Sequence, residues 1–395
     1  MDLHWLKPLL GRPAPFTTVY LDATPTEGPG EQGVVERWRS VRRGLERDGA
    51  PAAVLDEIGE TIAVPTWQRG PHGRVVVADS EGVRVDRVLS EPPAQSEGVF
   101  GPVPALLPAA RAADDAVRFV VVAVDRSGAD LTWVDGTGRR GKRTETVEGG
   151  HDEIHKTRDG MERRAQTRAE DSWSRNAEAV AAALDRAVAE QQPELVVLTG
   201  DLRAVALVRD AVDKRVGELL VEVPGGGRGD GIRQEAFEER VREALDAFRL
   251  RRRAAVLDRF AQSLGQGSGA VTALDDVVDV LRRGQVDELV LHTGSLTGSL
   301  VERSVWVGPE PLQLGVGADD LAALGVGEGD TREMPVGVAL VRAALAQDAG
   351  VTFADDGAVE LVDGVGAVLR WRDGSTPSES VLTQSADTRR VRGVV

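Results

Sequence analysis

Two histidines in the middle of the chain have the spacing of a metal or proton-transfer site. His151 and His155 lie four residues apart, with Asp152 and Glu153 between them. On a helix this spacing places both imidazoles on one face, where they could ligate a metal ion. The glycine pair Gly149–Gly150 just before them favours a loop instead, and no third ligand follows. We therefore predict no metal site and no cofactor, and His151 is the single candidate for a catalytic group.

Positive charge is concentrated on the elements around these histidines, although the chain as a whole is acidic. Lys and Arg number 48 against 64 Asp and Glu, so the formal net charge is -16. Such a balance argues against a nucleic-acid partner unless basic residues cluster, because phosphate contacts need local positive charge. We predict an rRNA-binding set of clustered basic residues and loop glycines and histidines. Its members are Arg139, Arg140, Lys142, Arg143, Gly149, Gly150, His151, His155, Lys156, Arg158, Arg163, Arg164 and Arg168.

A solvated helix face is the alternative interpretation of the basic residues at 163–168. Acidic residues close to them in sequence neutralise part of the charge, while the neighbouring hairpin at 139–143 adds more positive charge. Those acidic residues are Asp152, Glu153, Asp159 and Glu162. Both interpretations stay open at this point.

Two glycine-rich stretches have the composition, but not the context, of phosphate-binding loops. The stretch from Gly136 to Gly141 has the letters of a dinucleotide fingerprint but falls in a predicted hairpin, not where a strand turns into a helix. The stretch from Gly225 to Gly231 lacks the Lys-Ser/Thr pair of a phosphate-binding loop, so we predict a tight turn there.

The composition narrows the class of protein further. The chain has no Cys, which excludes disulfides, thiol catalysis, Cys-ligated zinc and iron–sulfur clusters. Apolar stretches such as Val117–Val124 are far shorter than the ~20 residues of a membrane helix, and the N-terminus has no signal-peptide pattern. We expect a cytoplasmic protein, monomeric and without a membrane partner.

The hydrophobic pattern predicts an α/β protein of three domains followed by a flexible tail. The predicted units are an N-terminal α/β domain at 1–115, a middle domain at 116–245, a C-terminal domain at 246–372 and the tail at 373–395. In the middle domain a basic hairpin and a polar loop separate three strands from a long helix and a further strand. The elements are strands at 117–125, 130–134 and 143–147, the loop at 148–160, the helix at 161–190 and a strand at 194–199.

Local signals predict the remaining boundaries. The Pro-rich stretch at 91–108 is predicted to close the first α/β unit. Two separate helices are predicted, at 234–247 and 249–264. Thr272 is predicted to cap the N-terminus of a helix that Gly284 ends.

The C-terminal domain resembles a known family of translation factors. The segment GAVTALDDVVDVLRRGQVDELVLH, Gly269–His292, is similar to the C-terminal domain of archaeal and eukaryotic class-1 release factors and of Pelota. The segment Val359–Trp371 resembles their closing Gly-x-Gly-Ala-x-Leu-Arg-aromatic strand. Upstream segments agree in order and spacing, so the resemblance extends to about Trp371. It is close to the bacterial branch of this superfamily, which includes the Balon hibernation factors and their actinobacterial relatives.

The resemblance implies a fold and a function. It implies a three-domain architecture with an RNase H-like middle domain and an L7Ae-like α/β sandwich at the C-terminus. In the family, the middle domain projects a loop into the peptidyl transferase centre, which corresponds here to 148–160. The resemblance therefore implies a stress-related hibernation factor that binds the 70S ribosome through 23S and 16S rRNA and occupies the A site. It also implies that the C-terminal domain docks on elongation factor Tu or another translational GTPase.

This sequence departs from the family at both of its functional motifs. Release factors carry Gly-Gly-Gln in the middle-domain loop, where this chain has Gly149-Gly150-His151 and no Gly-Gly-Gln anywhere. The Asn-Ile-Lys-Ser element for stop codons is also absent between Ala23 and Val34. We therefore expect shielding of the peptidyl transferase centre without hydrolysis. Two alternatives stay open: a peptidyl-tRNA hydrolase that rescues stalled ribosomes, with His151 orienting water, and a non-ribosomal interaction protein on the same fold.

Overall fold

The computed structural model is a mixed α/β protein whose described residues form four β-sheets. It describes residues 3–25, 31–66, 71–134, 143–149, 163–229, 232–294 and 298–377. The helices are α1 (Glu31–Arg47), α2 (Ala52–Ala63), α3 (Leu107–Asp115), α4 (Arg163–Gln191), α5 (Leu202–Ala211), α6 (Lys214–Leu219), α7 (Gln234–Gly265), α8 (Leu274–Arg282), α9 (Ser299–Glu302), α10 (Ala318–Ala323) and α11 (Val336–Ala346). None of the helices in these ranges is long and apolar enough to cross a membrane.

The strands of the described residues lie before, between and after these helices, singly or in runs of two or three. They are β1 (Phe16–Asp22), β2 (Gly73–Asp79), β3 (Gly82–Leu89), β4 (Glu97–Gly101), β5 (Phe119–Val124), β6 (Gly128–Val134), β7 (Arg143–Glu148), β8 (Leu195–Gly200), β9 (Leu220–Glu222), β10 (Ala270–Thr272), β11 (Val286–His292), β12 (Ser304–Val307), β13 (Leu314–Gly315), β14 (Arg332–Pro335), β15 (Gly350–Ala354) and β16 (Val365–Leu369). The mixed α/β class predicted from the sequence is therefore confirmed.

The middle sheet has the order β7-β6-β5-β8-β9 and carries the segment with the two histidines. Strands β5, β8 and β9 are parallel, and β6 is antiparallel to both β5 and β7. Strands β5, β7, β8 and β9 therefore all end at one edge, which we call the loop edge. The opposite edge, where Val134 pairs with Phe119 and Trp133 pairs with Arg143, is the hairpin edge.

The N-terminal and C-terminal sheets flank this middle unit in sequence. The N-terminal sheet has the antiparallel order β3-β2-β1-β4, and α1 and α2 cover one of its faces. The C-terminal sheet has the order β10-β16-β11-β15, and a small second sheet of order β13-β12-β14 lies beside it. Helix α11 is buried at almost every position.

One hydrophobic core joins the N-terminal and C-terminal segments. The other face of the N-terminal sheet, the short 3-10 helix His4–Leu9 and helix α3 pack on α8, α11 and the C-terminal strands. Leu6 and Leu340 are fully buried in this shared core. A buried carboxylate, Asp114, accepts hydrogen bonds there from Phe353 N at 3.3 Å and from Arg253 Nη2 at 3.2 Å.

Helix α7 links the middle sheet to the C-terminal sheet as one continuous element of 32 residues. Its first half packs Phe237 and Val241 on the middle sheet, and its second half buries Phe260 beneath the C-terminal sheet. The prediction of two separate helices is wrong, because Phe248 packs in the same cluster as Val241 and Leu245 at helical spacing and the helix continues through it. The predicted domain boundaries stay a prediction, and the one at 245/246 falls inside this helix.

The Pro-rich stretch at 91–108 contains strand β4, which pairs with β1, and the start of α3, which packs in the shared core. One other local prediction is wrong. Thr272 does not cap α8: it is the last residue of β10, and its hydroxyl donates to Val365 O at 2.9 Å. Gly284 does end α8, with a φ of 69° that favours glycine.

Candidate functional site

The loop edge of the middle sheet gathers the polar side chains that frame residues 150–162. Those residues lie outside the described part of the chain, but both of their flanks are described, β7 with Gly149 on one side and α4 on the other. The carboxyl edge of parallel strands is where open α/β sheets commonly place ligand sites. The loop edge is therefore the candidate functional site.

Gly149 leaves β7 through a tight contact with helix α4. Its N–H donates to Ser127 O at 2.8 Å, and a Cβ at this position would lie 2.2 Å from Asn176 Cγ. Asn176 Nδ2 in turn donates to Arg126 O at 2.9 Å. Only glycine fits this approach, so the entrance to the 150–162 segment is held at a defined position against α4.

Arg228 ties the same edge together from the glycine-rich loop after β9. Its side chain is 12% exposed, and its Nη1 lies 2.9 Å from Asp125 Oδ1 and 3.0 Å from Ser127 Oγ. Asp130 and Glu148 complete its acidic surroundings, at 3.3 and 3.6 Å. One largely covered guanidinium therefore connects β5, β6 and β7 at the loop edge.

Asp125 is the centre of this network. It also accepts from Ser127 N at 2.8 Å and from Gly128 N at 3.0 Å, which fixes the turn between β5 and β6. Burial acts to raise the pKa of Asp125, but the hydrogen bonds from Ser127 and the charge of Arg228 outweigh it and hold this pKa below its usual value. The carboxylate is therefore ionised and serves as a structural anion.

Trp173 fixes helix α4 to the loop edge. The Arg126 guanidinium lies 4.5 Å from the centroid of its ring, and Arg203 lies 5.8 Å from it on α5. Asp201, which follows β8, caps α5 by accepting from Arg203 N at 3.0 Å and lies 3.4 Å from Arg126 Nη2. The Trp173 ring is buried, so this cluster fixes the position of α4 relative to the loop edge of the sheet.

The first ten residues of helix α4, before Trp173, lie beyond the ends of the strands. The helix runs from the loop edge to the hairpin edge, since Gln191 at its end is followed closely by the start of β8. Its 29 residues span about 43 Å, whereas the six-residue strands span about 20 Å. Residues 163–172 precede Trp173 and therefore extend about 15 Å beyond the loop edge.

The structure describes only part of the predicted rRNA-binding set. Arg163, Arg164 and Arg168 lie in the first two turns of α4, in the portion that extends beyond the sheet. Gly149 is buried at the loop edge, and Arg143 begins β7 with its side chain 69% exposed and 3.9 Å from Glu145. The other members lie outside the described residues: Arg139, Arg140, Lys142, Gly150, His151, His155, Lys156 and Arg158.

The two basic segments do not share one edge of the sheet. The strands that lead into and out of the hairpin at 135–142 meet at the hairpin edge, about 20 Å from Gly149 at the other end of β7. The described flanks of the two basic segments therefore lie at opposite ends of β7. A combined action of the hairpin and the 150–168 segment stays a prediction.

Arg228 and Asn176 are the site residues that sequence reasoning missed. The glycine-rich stretch around Arg228 is a turn, as predicted, but it also delivers a charged side chain to the loop edge. A signal was present, because an arginine in a loop after a parallel strand lies at the same edge as a carboxylate after another, here Asp125. In the described part of the chain, no three carboxylates or histidines are placed to hold a metal ion.

Comparison with known proteins places the middle of the chain in a family. Residues 118–266, which include the whole loop edge, match the family described as bacterial archaeo-eukaryotic release factor family 2. The chain is also 29% identical over 386 residues to the uncharacterized proteins Rv2629 and MT2704 from two strains of Mycobacterium tuberculosis. The alignment covers 93% of this chain and 96% of either relative.

Solved structures with low similarity cover most of the chain. The archaeal termination factor aRF1 is 16% identical, with 93% of this chain and 96% of that chain covered and a TM-score of 0.23. The structure of ribosome-bound archaeal Pelota gives 12% identity, 93% coverage of both chains and a TM-score of 0.39. Dom34 of S. cerevisiae gives 9% identity, coverage of 78% and 81%, and a TM-score of 0.38. The family match assigns residues 118–266 to the bacterial branch of the archaeo-eukaryotic release factors.

Proposed function

We propose that this protein is a ribosome-binding translation factor that occupies the A site and shields the peptidyl transferase centre, as a hibernation factor does. The match of residues 118–266 to a release-factor family supports action at the ribosome. The segment at 150–162 is the part that would enter the peptidyl transferase centre. Shielding requires that a segment be delivered to a fixed place, and it requires no catalytic group.

The observation that carries this proposal is the way the loop edge presents that segment. Gly149, Arg228 and Trp173 fix both flanks, and α4 extends about 15 Å past the sheet with three arginines in its first two turns. A helix end with Arg side chains is suited to contact phosphates, since guanidinium groups pair with them bidentately. The fixed flanks would hold the segment in one position, and the basic end of α4 would contact rRNA phosphates beside it.

Hydrolysis is not part of the proposal, because the sequence has no Gly-Gly-Gln. If the protein were instead a peptidyl-tRNA hydrolase, His151→Ala would abolish release of peptide from stalled complexes while ribosome binding persisted. In a shielding role the same change leaves binding and protection unaltered. A translational GTPase such as elongation factor Tu is the proposed partner of the C-terminal domain, on the basis of the sequence resemblance.

The decisive experiment is co-sedimentation with vacant 70S ribosomes over a salt series. We expect saturable binding that weakens steeply with salt, because each phosphate contact releases counterions. The triple variant Arg163→Glu, Arg164→Glu, Arg168→Glu should bind at least ~10-fold more weakly and with a smaller salt slope. The quadruple reversal of Arg139, Arg140, Lys142 and Arg143 tests the hairpin edge separately.

A matched control keeps the net charge of the triple variant but moves the changes elsewhere. Arg186, Lys214 and Arg215 are exposed, and they lie on the second half of α4 and on α6. Their reversal to Glu should leave ribosome binding within about twofold of the wild type. Equal losses in both triple variants would mean that only net charge matters, and absence of binding by the wild type, even with elongation factor Tu and GTP, would refute the function.

A further inference from the structure

A cavity of about 420 Å³ lies where the N-terminal segment meets the small C-terminal sheet. Its volume is in the range of small-molecule sites. Its wall is mostly apolar and comes from both ends of the chain, with Leu10 and Phe16 on one side and Met334 and Val338 on the other. Neither segment alone encloses it, so the cavity exists only in the assembled chain.

A buried arginine without a counterion lines this cavity. Arg342 on α11 is 7% exposed, and its Nη2 donates to Pro309 O at 2.5 Å and to Gly308 O at 3.2 Å. Its Nη1 is buried and has no hydrogen-bond acceptor among the described residues. Buried charges in proteins are normally paired, and a buried unpaired donor calls for a missing partner such as an ion or ligand.

Its charged surroundings do not supply that partner. Burial lowers the pKa of Arg342 to about 10, and the charge of Arg332 lowers it further while Glu310 opposes this weakly. Arg332 also lines the cavity; its one described hydrogen bond is a long one, from Nη1 to Pro102 O at 3.4 Å, and no carboxylate of the described residues pairs with it. The third arginine of the wall, Arg12, is already paired, with Glu81 at 2.6 Å and Asp79 at 3.6 Å.

We propose that this cavity is a binding site for a small phosphate monoester with a compact apolar body, whose phosphate lies between Arg342 and Arg332. A dianionic phosphate balances two guanidinium charges, whereas a carboxylate balances only one. The apolar wall formed by Leu10, Phe16, Met334 and Val338 accepts the body of the ligand. The site is separate from the loop edge and does not depend on the proposed role at the ribosome.

Phenyl phosphate is the probe, titrated calorimetrically into the full-length protein at pH 8, with phenol and benzoate as neutral and monoanionic comparators. We expect saturable binding of phenyl phosphate and a rise in Tm, because a ligand that binds only the folded state stabilises it. Benzoate and phenol should bind more weakly, in that order. Arg342→Met should weaken phenyl phosphate binding at least ~10-fold.

Two further variants keep the test informative if Arg342→Met folds poorly. Arg332→Gln changes a partly exposed residue on edge strand β14 and should weaken binding several-fold. Arg209→Met removes an arginine of α5 that is paired with Asp210 and with Glu222 of β9. This control variant should bind phenyl phosphate as the wild type does. The proposal is wrong if phenyl phosphate shows no saturable binding, if phenol or benzoate binds as tightly, or if the Arg342 and Arg332 variants bind like the Arg209 variant.

Discussion

At Gly149 the absence of a Cβ allows β7 to approach α4 closely. The ideal Cβ position lies 2.2 Å from Asn176 Cγ, far inside van der Waals contact. Gly149→Ala should therefore lower the free energy of unfolding by about 1–3 kcal/mol, the usual cost of overpacking. Urea unfolding measures this loss directly.

Gly227→Ala is the matched control, because a Cβ there meets only Ile232 Cδ1 at 3.8 Å. It should unfold at the same urea concentration as the wild type or slightly higher, since alanine restricts the unfolded chain. If both alanine variants behave alike, the contact between Gly149 and Asn176 does not constrain the loop edge.

Two aspartates, the partly exposed Asp125 and the buried Asp114, should respond to pH in opposite directions. The pKa of Asp125 is lowered from 3.8, whereas burial raises the pKa of Asp114 above 3.8 despite the charge of Arg253. The stabilising effect of Asp125 is present above pH ~4 and is lost as pH falls through its lowered pKa, because the folded state then must be protonated. For Asp114, burial favours the protonated form in the folded state. The stability that this group contributes at low pH is therefore lost as pH rises through its raised pKa.

The measurement is the Tm of the wild type minus that of each Asn variant, from about pH 3 to pH 7. For Asp125→Asn this difference should grow with pH in the acidic range, and for Asp114→Asn it should shrink. Subtracting each variant from the wild type cancels the other carboxylates. Parallel curves for the two variants would contradict the opposite environments of Asp125 and Asp114.

Among the elements, α7 has the widest influence because its arginines hold the chain segment that leaves α3. Arg252 donates from Nη1 to Glu194 at 2.9 Å and from Nη2 to the carbonyl of Asp114, while Arg249 Nε donates to Asp115 O at 2.6 Å. Arg252→Met should cost about 1.5–3 kcal/mol, as expected for hydrogen bonds to a charged group. Hydrogen exchange should accelerate at 114–118.

Arg251→Met provides the control for this change, because Arg251 is adjacent on the same helix and exposed. Its exchange rates and stability should match those of the wild type within ~0.5 kcal/mol. A loss in this variant equal to that of Arg252→Met would show that helix propensity, not the link to the 114–116 backbone, is responsible.

Sequence periodicity could predict most elements of the middle sheet but not the way its edge is built. The strands at 117–125 and 194–199 are apolar runs of β-branched residues, and α4 follows a clear helical repeat, so their types were predictable. The contact of Arg228 with Asp125 joins residues 103 apart in sequence, and no local pattern specifies such a pair. The continuity of α7 was missed for a similar reason. Its first half packs on the middle sheet and its second half on the C-terminal sheet, so no single apolar stripe runs through the whole helix.

At the scale of the whole molecule, the ends of the chain share a core while the middle sheet has its own. Leu6 and Leu184 are both fully buried, the first in the shared core and the second in the middle core. Leu6→Ala should destabilise its core by about 2–5 kcal/mol and lower exchange protection in α11 and β15 as well as in β1. It should leave β5 and β8 protected.

Leu184→Ala is the reciprocal change and should lower protection in β5 and β8 while α11 keeps its protection. Exchange measured by mass spectrometry at peptide level resolves these elements. If each variant weakened all three sheets equally, the molecule would unfold as one unit and the two cores would not be independent.

The shared core also sets an order of events during synthesis. The helix His4–Leu9 and the inner face of the N-terminal sheet leave the ribosome long before the residues that cover them, Val336–Ala346 and Gly350–Ala354, are made. Contacts of such long sequence separation form slowly, and apolar surface that waits for a partner is prone to aggregate. The nascent chain therefore carries an uncovered apolar face until those residues are made, and a holding chaperone should associate with it until residue 354 has emerged.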